Sequence, residues 1–367
     1  MTEIMAGVCR AEGAPVALEA VTTTALEPGE VLVEIAGTGI CHTDLTALNG
    51  ILPLPIPFVT GHEGAGTVVE VADGVTELAV GDRVVLSFDS CQECDVCKAG
   101  HPVYCDLAGA LNYFGTRLDG SVTLRNGDEE VHGSWFGQSS FATHSIASVR
   151  NAVKVDADAP IELLGPLGCG LMTGAGTVLN ALQPEPGTSI GVWGTGPVGM
   201  AAVMAAKAAG CETIIAVDPN VERLDMAKTL GATHVFDPTA TKDLVWEIVE
   251  FTGGLDYTVE TVGAGPVVRQ AVETLRTRGV CATVGLQKME NDIAIDQGHL
   301  LFGRTLTGVL MGDADPHVFI PELIELWRAQ KFPFDTLIRT YPLDEINTAL
   351  DDFRAGRVIK PVLVPSR

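Results

Sequence analysis

Between residues 189 and 285 the chain alternates two hydrophobic periods. Short apolar runs, Ile190 to Trp193 and Thr213 to Val217, read as strands buried on both faces. Between them Val198 to Ala209 is alanine-rich, carries no charge before Lys207 and stops at Gly210, the pattern of a buried helix. The alternation continues: helix 220–230 ending at Gly231, strand 234–236, helix 241–252 ending at Gly253-Gly254, strand 256–259, helix 266–277 ending at Gly279, and strand 280–284. Such a succession predicts an α/β fold with a doubly wound parallel sheet and a ligand crevice at the strands' C-terminal ends.

The flanking stretches read differently. Residues 4–36 alternate apolar and polar positions in short strands broken by Gly13, Pro15, Pro28 and Gly29. Ala108 to Ser140 is Gly-rich and polar and reads as a long surface excursion, returning to strands near 141–155. Gly165 to Gly174 opens a helix running toward Leu182, with Cys169 at its N-terminus. Past Gly303 come a strand from Thr305 to Met311, a helix at 318–330 and a last helix near 344–355. The expected division is 1–170 with a lobe at about 88–108, then 171–310, then 311–367 rejoining the first part.

At 367 residues the chain can bury two cores. No apolar run approaches the ~18 residues of a membrane-spanning helix. The start MTEIMAGVCRAEG lacks a signal peptide's basic and apolar regions, so a cytoplasmic location is expected. A net charge of −24 argues against nucleic acid and anionic membrane as partners.

The chemistry sits at four places. Gly194, Gly196 and Gly199, in GTGPVG with Pro197 and Val198, join the first strand to the alanine-rich helix, and Asp218 ends the second strand. In that order Gly194 permits the turn, Gly196 lets backbone approach a pyrophosphate, Gly199 seats the helix on the sheet, and Asp218 can bond the adenosine ribose. Val262-Gly263 and Val284-Gly285 fall at later strand ends, where small residues would leave room for a nicotinamide. Cys91, Cys94, Cys97 and Cys105 can close a tetrahedral thiolate shell around one structural zinc. Cys41 and His62, each next to an acid, are two metal ligands in need of a third. Cys169 is the candidate, its thiolate favoured by a helix N-terminus, although a core cysteine would read the same way. Cys9, Cys211 and Cys281 are assigned to packing, and His101, His132 and His144 to the surface or to hydrogen bonds.

The motifs Cys41-His42-Thr43-Asp44, Gly61-His62-Glu63-Gly64-Ala65-Gly66, the cysteine quartet, Gly168-Cys169-Gly170 and GTGPVG with Asp218 cover nearly the whole chain. Together they resemble the zinc-dependent medium-chain alcohol dehydrogenases, and the 106–140 and 165–170 segments most resemble the aryl (benzyl) alcohol branch. The resemblance implies a mainly β, GroES-like catalytic domain beside a Rossmann domain, two zinc per chain, and NAD. Cys41, His62 and Cys169 would hold a catalytic zinc with an open position. Thr43 would take the alcohol proton, and Asp44 and Glu63 would orient His62 and tune the metal. His42 and Lys360 would contact the pyrophosphate; Thr173, Val198, Val262, Gly285 and Leu286 would lie along the cofactor, and Arg223 beside the adenosine ribose. Strand 305–311 resembles the one that joins subunits, implying a homodimer, with a tetramer as the alternative. Thr46 stands where many members place a relay histidine.

The implied reaction is oxidation of aromatic or allylic primary alcohols to aldehydes. The alternatives on the same scaffold are terpenoid, aliphatic or glutathione-dependent formaldehyde oxidation. A non-catalytic binding protein would predict a broken ligand set, and Cys41, His62 and Cys169 are all present.

Overall fold

The computed structural model describes all residues except 157, 289 and 367. Contacts divide it into two units, one of residues 1–169, 315–324 and the stretch from 335 onward, the other of 170–314 and 325–334. Residues 325–334, expected with the first unit, belong to the second, where Trp327 packs on Phe334 with ring centroids 5.9 Å apart.

In the second unit six parallel strands lie in the spatial order His234–Phe236, Thr213–Val217, Ser189–Trp193, Leu255–Glu260, Leu275–Thr283 and Thr305–Gly308. Taken in chain order this is 3-2-1-4-5-6, the doubly wound arrangement, and its switch point falls between the strands that end at Trp193 and Glu260. Helix Pro197–Ala209 is capped at its C-terminus by left-handed Gly210, and Met200 and Met204 are fully buried. Trp193, Ile215, Val217, Leu255 and Cys281 pack against Leu244, Ile248 and Val272 of the covering helices. The strand expected at 280–284 begins earlier, because Leu275 turns inward to pair with Leu255 directly after helix Gly265–Glu273.

The first unit is mainly β. A seven-stranded sheet runs Ala152–Val155, Arg83–Leu86, Gly64–Val71, Glu30–Gly39, Lys360–Val364 and Ile338–Pro342, with His144–Ser148 also paired to Glu30–Gly39. Val31, Val33 and Ile35, two apart, point into one core with Val68, Val84 and Leu86, as a half-buried strand requires. Each such side chain contributes roughly 1.5–3 kcal/mol when fully buried. The sheet brings the chain's last strand beside the strand that leads to Cys41.

The 106–140 stretch is no simple surface excursion. Leu124–Asn126 and Glu129–Val131 form a hairpin on a second sheet, which also holds Phe58–Val59, Glu3–Cys9 and Ala17–Thr23. Arg117 ties the stretch down through Glu30, bonding its carboxylate at 2.6 and 2.9 Å. Trp135 (0%), Gln138 (1%) and Ser140 (0%) are among the most buried residues of the chain. Polarity misled here because these groups bond to one another and to the backbone inside the protein, not to water. Among the described residues no single helix is long and apolar enough to cross a membrane.

Candidate metal centre and dinucleotide site

Three segments of the first unit converge. Cys41 precedes helix His42–Leu48, and Asp44 in the first turn accepts the Cys41 backbone N–H at 3.1 Å, fixing the helix entry. His62 and Glu63 follow strand Phe58–Val59, and Cys169 follows the tight turn Gly165–Gly168. One donor atom from each of Cys41, His62, Glu63 and Cys169 lies within 4.8 Å of all the others, and His62 Nε2 is 3.2 Å from Cys169 Sγ. Two thiols, an imidazole and a carboxylate in that space form a donor set that suits zinc.

His62 is oriented from behind. Its Nδ1 donates to Asp44 Oδ1 at 2.8 Å, leaving Nε2 free to ligate. Asp44 has no exposure to water. Burial alone would push the imidazole's pKa down, but the Asp44 charge and hydrogen bond outweigh it and hold the pKa well above the ordinary value. The Cys169 thiol, hydrogen-bonded to Cys41, holds Cys41 well below the usual thiol range and is itself pushed well above it. Two thiols in contact share a proton until a cation replaces it.

Glu63 and Lys360 meet inside the fold. The Glu63 carboxylate lies among the metal donors and pairs with Lys360 Nζ at 2.6 and 2.8 Å. The Lys360 ammonium also donates to the Ile40 carbonyl at 3.0 Å and is 1% exposed, so it does not stand free for a pyrophosphate. The last strand's pairing beside Gly39 carries it inward.

Thr43 Oγ1 lies 3.7 Å from Cys41 Sγ. Thr46 Oγ1 instead donates back to the Thr43 carbonyl at 2.7 Å. His42 is exposed, its ring 4.6 Å from that of Phe353.

An aromatic wall that no sequence motif announced flanks this centre. Phe136 stacks on His62 with centroids 4.5 Å apart, Trp135 meets it edge-on at 6.4 Å, and Tyr113 packs on Phe136 at 5.3 Å. Gln138 Nε2 donates to the His62 carbonyl at 3.1 Å. Adjacent aromatics followed by hydrogen-bonding residues, WFGQSS, were the available signal.

The quartet Cys91, Cys94, Cys97 and Cys105 forms the second donor cluster, with no histidine or carboxylate in it. Backbone N–H groups of Glu93 and Cys94 donate to Cys91 Sγ at 3.4 and 3.3 Å and lower its pKa to about 6.

In the second unit Gly194 is left-handed, and a Cβ there would meet Thr261 Oγ1 at 2.5 Å. A Cβ on Gly199 would strike the Gly194 carbonyl at 1.8 Å, which is the close helix–sheet contact, whereas one on Gly196 would meet nothing within 4 Å. The open backbone at Gly196 suits a phosphate at a helix N-terminus. Asp218, 5% exposed, accepts Thr195 N at 2.7 Å and Asn220 N at 2.8 Å, so its carboxylate clamps the glycine turn. Arg223 Nε is buried and has no partner among the described residues. Gly285 packs backbone to backbone on Gly263: a Cβ there would meet Gly263 N at 2.4 Å. Val262 and Leu286 are exposed, Pro197 is buried, Val198 is half-buried, and buried Thr173 sits 3.8 Å from Met311 Sδ.

Two family models match: the alcohol dehydrogenase GroES-like domain over residues 27–157 and the zinc-binding dehydrogenase domain over 197–328. The chain belongs to the zinc-dependent alcohol dehydrogenase family. This dehydrogenase is 45% identical over 362 residues to the geraniol dehydrogenase of Castellaniella defragrans, covering 98% of this chain and 97% of that one. It matches the crystal structure of benzyl alcohol dehydrogenase from Acinetobacter calcoaceticus over the full length of both chains, with a TM-score of 0.96 and 42% identity. An alcohol dehydrogenase zinc-binding domain protein from Burkholderia ambifaria matches equally completely, with a TM-score of 0.98 and 44% identity.

Proposed function

We propose that the enzyme oxidises aromatic or allylic primary alcohols reversibly to aldehydes with NAD. The observation that carries the substrate class is the aromatic wall of Tyr113, Trp135 and Phe136 against His62. A flat unsaturated group beside the carbinol carbon stacks on such rings and buries apolar surface at ~25 cal/mol per Å². The two named relatives at 45% and 42% identity act, by their names, on an allylic and a benzylic alcohol, which share that unsaturated neighbour.

In this reading Cys41, His62 and Cys169 hold the catalytic zinc, and Cys91, Cys94, Cys97 and Cys105 the structural one. Zinc supplies Lewis acidity that lowers an alcohol's pKa toward neutrality. NAD supplies the hydride acceptor. Asp44 keeps His62 in the tautomer that presents Nε2. Thr43, beside Cys41, takes the alcohol proton, and the route onward does not use Thr46. Gly196 and Arg223 would meet the cofactor's phosphate and adenosine ends, and the Asp218 carboxylate would repel a 2′-phosphate, favouring NAD over NADP. The open edge at Thr305–Gly308, near exposed Leu301 and Phe302, supports pairing with a second copy in a homodimer. A cytoplasmic location fits thiols kept reduced for zinc.

Initial rates with NAD on benzyl alcohol, geraniol, 1-hexanol, ethanol and the formaldehyde–glutathione adduct test the proposal. Benzyl alcohol or geraniol leads in kcat/KM if it is right; ethanol or the adduct leading overturns it.

A further inference from the structure

We propose that Trp135 is a positioning residue of the catalytic metal centre, its indole N–H holding the carboxylate that holds His62. Trp135 Nε1 donates to Asp44 Oδ1 at 3.1 Å, both residues being wholly buried. The same oxygen accepts His62 Nδ1 at 2.8 Å and Gly61 N at 3.0 Å, while Oδ2 accepts Cys41 N at 3.1 Å. Asp44 therefore links the backbone of two metal-ligand segments to one imidazole. Among the described residues Trp135 is the one side chain besides His62 that donates to it.

The bond is not what any buried indole must make. Trp193, equally buried at 1%, has no partner for its Nε1 among the described residues. The turn carrying Trp135 is built to hold it: Ser139 Oγ accepts the Trp135 backbone N–H at 2.8 Å and donates to the Val59 carbonyl at 2.6 Å. The next residue, Phe136, is held left-handed at φ 51°, a conformation that costs energy for an aromatic residue, and its ring stacks on the imidazole. The imidazole is thus bounded by one ring stacked on it, one ring edge-on, and a carboxylate whose own position the edge-on ring fixes.

Removing the carboxylate partner of a metal-bound histidine typically costs 10–100-fold in metal affinity. One bond further out, Trp135→Phe should speed release of the catalytic zinc to a chromophoric chelator by about 3- to 10-fold, with kcat lowered and the alcohol KM within about twofold. The catalytic zinc is identified as the release phase that Cys169→Ala lacks. In an Asp44→Asn background, where the charged acceptor is gone, Trp135→Phe should change the release rate less than about twofold, because residues acting through one bond are not additive. An unchanged release rate, or the same fold-change in both backgrounds, overturns the proposal. Should Trp135→Phe fail to fold, Asp44→Asn in the otherwise unaltered enzyme must shift the Trp135 indole N–H proton resonance and speed its exchange; an unmoved resonance overturns it. The proposal rests on the zinc reading of this site, and only its kcat arm needs the alcohol and NAD. The release arm needs no substrate, so failure of the aromatic alcohol and NAD reading would leave it standing.

Discussion

Lys360 reaches Glu63 through the interior, its ammonium 2.6 Å from one carboxylate oxygen and 2.8 Å from the other, with the side chains 1% and 0% exposed. Removing one member of such a pair leaves an uncompensated charge in the core, at a cost of about 3–5 kcal/mol. Lys360→Met should therefore lower unfolding stability by that order in denaturant melts, and adding Glu63→Gln should recover part of it. A lysine that served only a cofactor phosphate would behave otherwise. Its loss would raise the KM for NAD and leave stability alone.

Asp218 clamps the glycine turn, and in the proposed function the same carboxylate faces the cofactor's ribose. Asp218→Asn keeps a side-chain oxygen for one of the two backbone N–H groups it accepts but removes the charge. Hydrogen bonds to a charged group contribute about 1.5–3 kcal/mol, so the NAD-over-NADP ratio of kcat/KM should fall by about tenfold or more. Steady-state kinetics with both cofactors measure this. Equal use of NAD and NADP by the unaltered enzyme would contradict the assignment.

Tyr341 donates to Asp352 Oδ2 at 2.6 Å. Burial and the Asp352 carboxylate push the Tyr341 phenol up to about 12, while the bond from Tyr341, with help from Arg357, holds Asp352 below the ordinary carboxylate range. The signs differ at the two ends of the pH scale. Asp352 stabilises the fold above the unfolded carboxylate's pKa, and that contribution is lost as pH falls through its depressed value. Tyr341 makes stability decline as pH rises from ~10, where an unfolded phenol ionises, toward its raised value. In absorbance titration at 295 nm, the component missing from Tyr341→Phe should titrate near pH 12 and not near 10.

Much of this was legible in the sequence where one residue's role depends on its neighbours in the chain. The strand–glycine–helix–strand–acid run and the cysteine quartet are of that kind, since turn geometry and tetrahedral closure constrain local spacing. What escaped depends on distant pairing. Lys360 joins Glu63 only because the last strand lies beside Glu30–Gly39, and no local pattern announces that. Trp135 and Gln138 looked like surface because polar neighbours surround them in the chain, whereas their hydrogen bonds close inside the fold. Gly285 must be glycine because Gly263 lies against it, a contact between two strand ends that no local pattern shows.

The cysteine lobe should fail differently from the catalytic cluster. Cys97→Ala breaks a closed thiolate shell whose metal binding contributes to folding, so it should release one zinc and lower the melting temperature even in the presence of NAD. Differential scanning calorimetry with metal analysis checks this; an unchanged melting temperature would show that the quartet carries no structural metal.

The central claim is that Cys41, His62 and Cys169 hold a zinc on which alcohol oxidation depends. Its most direct test is zinc content per chain, measured by plasma emission on the purified enzyme and on Cys169→Ala, alongside turnover of benzyl alcohol with NAD. The unaltered enzyme should carry about two zinc and turn over, and the folded variant about one with no turnover. A Cys169→Ala protein that keeps both zinc ions, or that keeps full turnover, would contradict the account.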